Sequence, residues 1–252
     1  MNLPEPSTPS EEEESQPLIS KQLLRRIGLF IGGLGILTVI LSLSGRMIGE
    51  QIVMSGHSTD TSRVTITVNG NRIALPSNTI RYEKQRRGGE HERIDAYFTW
   101  PELEGYTHTN RNQFNDIGNS QNLVFLSLSA RTMPMDMSAR IAPVYSRLTN
   151  RGSQSEDSGL LAYVFDEDTR YAGEILYVGA RDGEPAFAVR CLKDDGMPQG
   201  AHSCLRDINV GQDLSVTYRF SRDLLPQWRR LDAAVEAYIS EAFEASENNG
   251  TS

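Results

Sequence analysis

The run "IGLFIGGLGILTVILSLS", residues 27–44, constrains this chain more than any other feature, because its eighteen residues carry no charge. As a helix rising about 1.5 Å per residue, such a run is long enough to cross a hydrocarbon core of about 30 Å. Leu23 and Leu24 add apolar length on the other side of Arg25 and Arg26. No other stretch comes close, so the expectation is one transmembrane helix within 21–46. Lys21, Arg25 and Arg26 precede the run, whereas Arg46 alone follows it, with Glu50 nearby. Positive charge stays on the cytoplasmic side, which predicts a cytoplasmic N-terminus and places the rest of the chain outside the cytoplasm. A cleaved signal peptide is the competing reading, since Ser42-Leu43-Ser44 resembles a small-x-small cleavage site. Against it, the run exceeds the usual signal-peptide core and a long polar tail precedes its charged head. Both readings give the bulk of the chain the same compartment.

Within the run, Gly28, Gly32, Gly35 and Ser42 fall on one helix face. Small residues let a second helix approach closely, so this face is a candidate for self-association, although glycine is also simply common in membrane helices. The flanks read differently. Residues 1–20 are rich in Pro, Ser and Glu and predict a disordered cytoplasmic tail. Residues 47–62 read as a polar tether, 63–245 as the folded domain and 246–252 as a frayed tail. The net charge of −8 argues against a nucleic-acid partner.

From residue 63 the hydrophobic pattern has period two. "RVTITV" (63–68), a turn at Asn69-Gly70-Asn71 and "RIAL" read as a hairpin. Further strands are predicted at 93–100, 123–130, 160–165, 174–180, 186–192 and 214–220, and the short spacings among the last ones favour antiparallel pairing. Met137, Ile141, Val144 and Leu148 have helical spacing, which predicts a helix over 136–148 that Pro143 weakens. A firmer helix begins near Pro226, with Trp228, Leu231, Val235, Tyr238 and Ala242 as its apolar stripe. The fold class expected is α+β: a single N-terminal transmembrane helix, then a mostly antiparallel sheet with a C-terminal packing helix.

Cys191 and Cys204 are the only cysteines. Asp194, Asp195, Gly196, Pro198 and Gly200 between them are turn formers, so the chain returns on itself there. In an oxidising compartment such as a bacterial periplasm, the pair is expected to form a structural disulfide. Free thiols are one alternative. Zinc bound with His202 is another, but a structural zinc site takes four ligands and no fourth stands at a recognisable spacing.

Motifs for chemistry are sparse. The four histidines show no H-x-x-x-H spacing, and there is no G-x-S-x-G or P-loop. "DEDT" (166–169) opens like a calcium loop, yet Tyr171 stands where that loop requires glycine. The mixed-charge stretch 81–93 reads as a solvated loop. The most suggestive polar segment is 99–116, which gathers Trp100, Tyr106, His108, Asn110, Arg111 and Asn115. Aromatic and amide groups together suit a small polar ligand; the plainer reading is a long loop capped by its own Asn and Asp side chains.

The strings "LPSNTIRY", "WPELEGYTHTNRNQFNDI", "LVFLSLSARTMPMDMSARIAPVYSRL" and "RDINVGQDLSVTYRFSRDLLPQWRRLDAAVEAYI" resemble a group of transmembrane-anchored proteins of alphaproteobacteria, over about residues 60–240. The group carries no assigned activity. The resemblance implies a bacterial inner membrane and transfers no functional residues. The expected protein is therefore a single-pass inner-membrane protein, in contact with the lipid bilayer, without a cofactor and not an enzyme. Its periplasmic domain acts through an envelope protein partner, as an assembly or regulatory component. The alternative is a ligand-binding or sensory module using 99–116.

Overall fold

Asn69 and Gly70 both take left-handed backbone angles, with φ of 47° and 76°. That is the geometry of a two-residue type I′ turn, which Asn-Gly forms at little cost. It joins β1 (Arg63–Val68) to β2 (Asn71–Pro76) in antiparallel register, Val68 opposite Asn71. A two-residue strand, β3 (Gly89–Glu90), pairs parallel to β1 and completes a three-stranded sheet.

The computed structural model describes residues 22, 25, 26, 28–39, 56–193 and 203–248. They fall into two units, Met1–Val53 and Met54–Ser252. In the first, residues 28–39 form a helix, α1, that carries Gly28, Gly32 and Gly35. Among the described residues no helix is long and apolar enough to cross a membrane. Residues 40–44 of the expected span, Ser42 included, lie outside the described residues, as do the tail 1–20, most of the tether and residues 249–252.

The second unit is α+β, and its main sheet is antiparallel throughout. Its eight strands are β4 (Arg93–Thr99), β5 (Leu123–Ala130), β6 (Thr149–Ser155), β7 (Leu160–Phe165), β8 (Glu174–Gly179), β9 (Phe187–Leu192), β10 (Cys204–Val210) and β11 (Leu214–Phe220). They stand in the order β4-β5-β11-β10-β9-β8-β7-β6. Alternation sets which face is buried: Val124, Leu126 and Leu128 of β5 point into the core, while Ser127 and Ser129 do not.

Besides the five-residue helix α2 (Arg111–Asn115), the unit has the long helix α3 (Trp228–Asn248), which follows a 3-10 turn containing Pro226. Trp228, Leu231, Val235, Ile239 and Ala242 are buried on one face of the core. Tyr238 meets Phe98 and donates its hydroxyl to Thr79 Oγ1 at 3.1 Å. The helix runs three residues past 245, and the buried Ser246 donates to the Arg72 carbonyl at 2.8 Å. One helix thus ties the small sheet to the large one.

The predicted helix over 136–148 is not formed. Its apolar residues do pack together, in a second cluster around Met137, Tyr145, Phe165, Leu176 and Ala188. The backbone, however, mixes bond spacings: Ile141 N–H reaches Ser138, Val144 reaches Arg140, and Ser146 reaches Ile141. Pro143 supplies no N–H to a regular ladder, and only Tyr145–Arg147 form a 3-10 turn. Two further strands that the hydrophobic pattern does not announce are β6, polar at every position but Gly152, and β10, whose alternation is broken by Arg206, Asp207 and Asn209.

Candidate functional site

Strands β9 and β10 pair only at Cys204 with Cys191 and at Leu205 with Arg190. Each keeps its other neighbour along its length, β9 with β8 and β10 with β11. The two strands therefore part after Leu205 and the sheet opens. A disulfide, Cys191–Cys204, closes the top of this opening. It replaces the free-thiol and metal alternatives for the pair; His202 lies outside the described residues.

Where ladder bonds stop, backbone polar groups need other partners. The Ala188 carbonyl on β9 accepts from Arg206 Nη1 at 3.1 Å, and the Asp207 carbonyl on β10 accepts from the Met137 N–H at 3.4 Å. Arg206 is 2% exposed and spans the opening: the same Nη1 donates to Ser138 Oγ at 2.9 Å, and the guanidinium lies 4.7 Å over the Phe187 ring. Its charge is met by Asp232 of α3, fully buried, through Nε to Oδ1 at 3.0 Å and Nη2 to Oδ2 at 3.5 Å. Tyr218 O–H donates to the same carboxylate, and Arg181 pairs with it too. Burial pushes the Tyr218 hydroxyl well above its usual value, so it stays a donor.

Above this network lies a cleft of about 410 Å³. Ile208 and Val210 of β10 form one wall, and Ile239 and Phe243 of α3 form the other. Its rim is charged. Arg181 is held by Glu184 at 3.1 Å and Glu236 at 3.2 Å, and Asp136 also lines the cleft. Three rim carboxylates thus face one rim guanidinium. The arrangement supplies shape, an apolar wall and negative charge. Among the described residues, no three or more His, Cys, Asp or Glu side chains converge to hold a metal ion.

None of the residues singled out in 99–116 lines this cleft. Trp100 is buried, and its Nε1 donates to Gln227 at 3.1 Å. Asn110 caps its own loop, accepting from the Thr107 N–H at 2.8 Å and donating to the Gly105 carbonyl at 3.0 Å. His108 and Arg111 are exposed. Tyr106 is buried under His57, which also meets Asn115 at 3.0 Å. The segment therefore does not converge on one point. His57 lies in the expected tether and outside any metal-binding spacing, and Arg206 and Asp232 each read as an ordinary surface charge, so the sequence marks none of the three as a site.

No protein-family model matches the chain, and no curated protein is similar to it in sequence. Two solved structures are similar in fold. An immunity protein of the Stenotrophomonas maltophilia type IV secretion system matches at a TM-score of 0.52 with 14% identity, covering 74% of this chain and 95% of that one. The iron-regulated outer membrane lipoprotein FrpD of Neisseria meningitidis matches at a TM-score of 0.44 with 10% identity, covering 75% of this chain and 98% of that one.

Proposed function

We propose that the chain is a single-pass inner-membrane protein whose periplasmic sheet domain acts by contact with another envelope protein, through the cleft between β10 and α3. The observation that carries this reading is the cleft itself. Its floor is an ion-pair network whose members are engaged with one another, so it holds shape rather than reacting. Its rim sets three carboxylates against one guanidinium, which suits a basic side chain of the partner. The disulfide fits an oxidising compartment, and α1 exposes large apolar side chains, Phe30 at 73% and Ile36 at 65% among them, as an anchor does. A solved protein of this fold is an immunity protein of a secretion system, which supports a role exercised by contact.

The test is photo-crosslinking in intact cells. A crosslinker at Ser240, in the cleft, should trap one discrete protein, and the exposed substitution Glu184→Lys should reduce that product several-fold. Trapping from position 111 with none from 240 would instead favour the 99–116 segment. No product from either position refutes the contact reading.

A further inference from the structure

The stretch entering the sheet domain is fastened by a histidine seated among aromatic rings. His57 stacks on Tyr106 with centroids 4.5 Å apart and planes 13° from parallel. It meets Tyr97 of β4 edge-on at 5.5 Å and Phe114 of α2 at 6.0 Å. Its Nδ1 lies 2.5 Å from the Tyr97 hydroxyl and its Nε2 3.0 Å from Asn115 Oδ1. An amide oxygen only accepts, so Nε2 carries the proton and Nδ1 accepts from Tyr97 O–H. The seat is thus built for neutral imidazole. A second proton, on Nδ1, leaves the Tyr97 hydroxyl hydrogen without its acceptor, and Tyr97 is 1% exposed.

The surrounding charges act the same way. Arg86 and Arg81 face the ring, and Arg86 Nη2 also donates to the Gly56 carbonyl at 2.5 Å. The other polar groups on it, Tyr97 and Asn115, are neutral; burial holds the Tyr97 hydroxyl protonated. Desolvation first, and then the two guanidiniums, hold the His57 imidazole below its usual value, against the opposing bond to Asn115.

We propose that His57 is a pH-sensitive buckle: neutral, it straps residues 56–59 to the sheet domain, and protonation in a mildly acidic medium releases them. The docked ring takes a proton less readily than the free one. The strap is therefore fully held above about pH 6.5 and loosens as the pH falls below it. At pH 5.5 release is favoured up to about tenfold over pH 7.5. Release stops at Asp60, because the Asn78 N–H donates to the Asp60 carbonyl at 2.7 Å and the Ser77 N–H to the Ser62 carbonyl at 2.8 Å. The four freed residues add at most about 14 Å of chain between 27–44 and the domain. That consequence rests on the anchor reading; the buckle does not.

Hydrogen exchange on the full chain in detergent, at pH 7.5 and 5.5 and corrected for intrinsic exchange, reads the strap directly. Protection of 56–59 should fall up to about tenfold at pH 5.5 in the wild type. In His57→Phe, which carries no titrating proton, protection should not change with pH. Equal wild-type protection at both values overturns the proposal, and so does a pH-dependent loss that persists in His57→Phe. An NMR titration of the His57 ring gives a second measurement, with a midpoint below 6.5 expected and one at or above it decisive against the buckle. Fractionation that finds 27–44 outside the membrane removes the anchor reading and leaves the exchange result standing.

Discussion

Asp232 holds two guanidiniums and a phenol in a site with no access to water. Truncating one partner of such a network strands the others, which costs about 3–5 kcal/mol. Asp232→Ala should therefore lower stability by about that amount in urea denaturation. Glu184→Gln, at the exposed end of the same network, should change it by about 0.5 kcal/mol or less. Gly179 is a second sensitive position. A Cβ there would lie 2.6 Å from Trp228 Cζ2 and 2.8 Å from Leu160 Cδ2. Gly179→Ala should cost about 1–3 kcal/mol by overpacking, read in the same denaturation series. Neither position stands out in the sequence. Arg206 sits in "CLRDINV", where Cys204, Arg206 and Ile208 share the buried face. An inward arginine breaks the alternation that marks a strand, and its compensating charge lies on another element, at Asp232.

At the scale of elements, the disulfide joins β9 to β10 where their pairing ends, closing a loop with a sequence separation of 13. Loop-closure entropy for that length is worth about 3 kcal/mol. Replacing both cysteines by serine should lower the Tm by roughly 6–12 °C, since a domain of this size shifts about 2–4 °C per kcal/mol. Thiol labelling of the denatured wild type should give no signal until reductant is added. This pairing was readable from compartment and turn residues. So were the strands with clean alternation and the stripe of α3, because burial on one face writes its period into the sequence. The polar edge strand β6, "TNRGSQS", was not, because it contains no apolar residue whose burial could write a period into the sequence. The segment 136–148 shows the converse. Its apolar spacing recorded burial in the second cluster correctly, but burial does not dictate how the backbone between those residues is bonded.

The whole molecule turns on the apolar run. In α1 the large side chains Leu29, Phe30, Ile31, Leu34, Ile36, Leu37 and Val39 are all exposed, and they are spread around the helix rather than along one stripe. A helix apolar on every side needs an apolar solvent, and on the anchor reading proposed above that solvent is the lipid bilayer. A reporter active only in the periplasm should therefore work when fused after Ser252 and fail when fused after Ser20. On that reading the orientation follows from Lys21, Arg25 and Arg26 outweighing Arg46. Converting those three to glutamine leaves the run's length and hydropathy intact while removing the bias. The variant should stay in the membrane pellet after alkaline extraction, but a measurable share of the Ser252 fusions should lose activity. A soluble variant would mean that the charges, not the apolar run, hold the chain to the membrane. An unchanged reporter would mean that orientation comes from translocation of the folded domain and not from the flanks. Only retention with partial inversion supports both halves of the anchor reading at once.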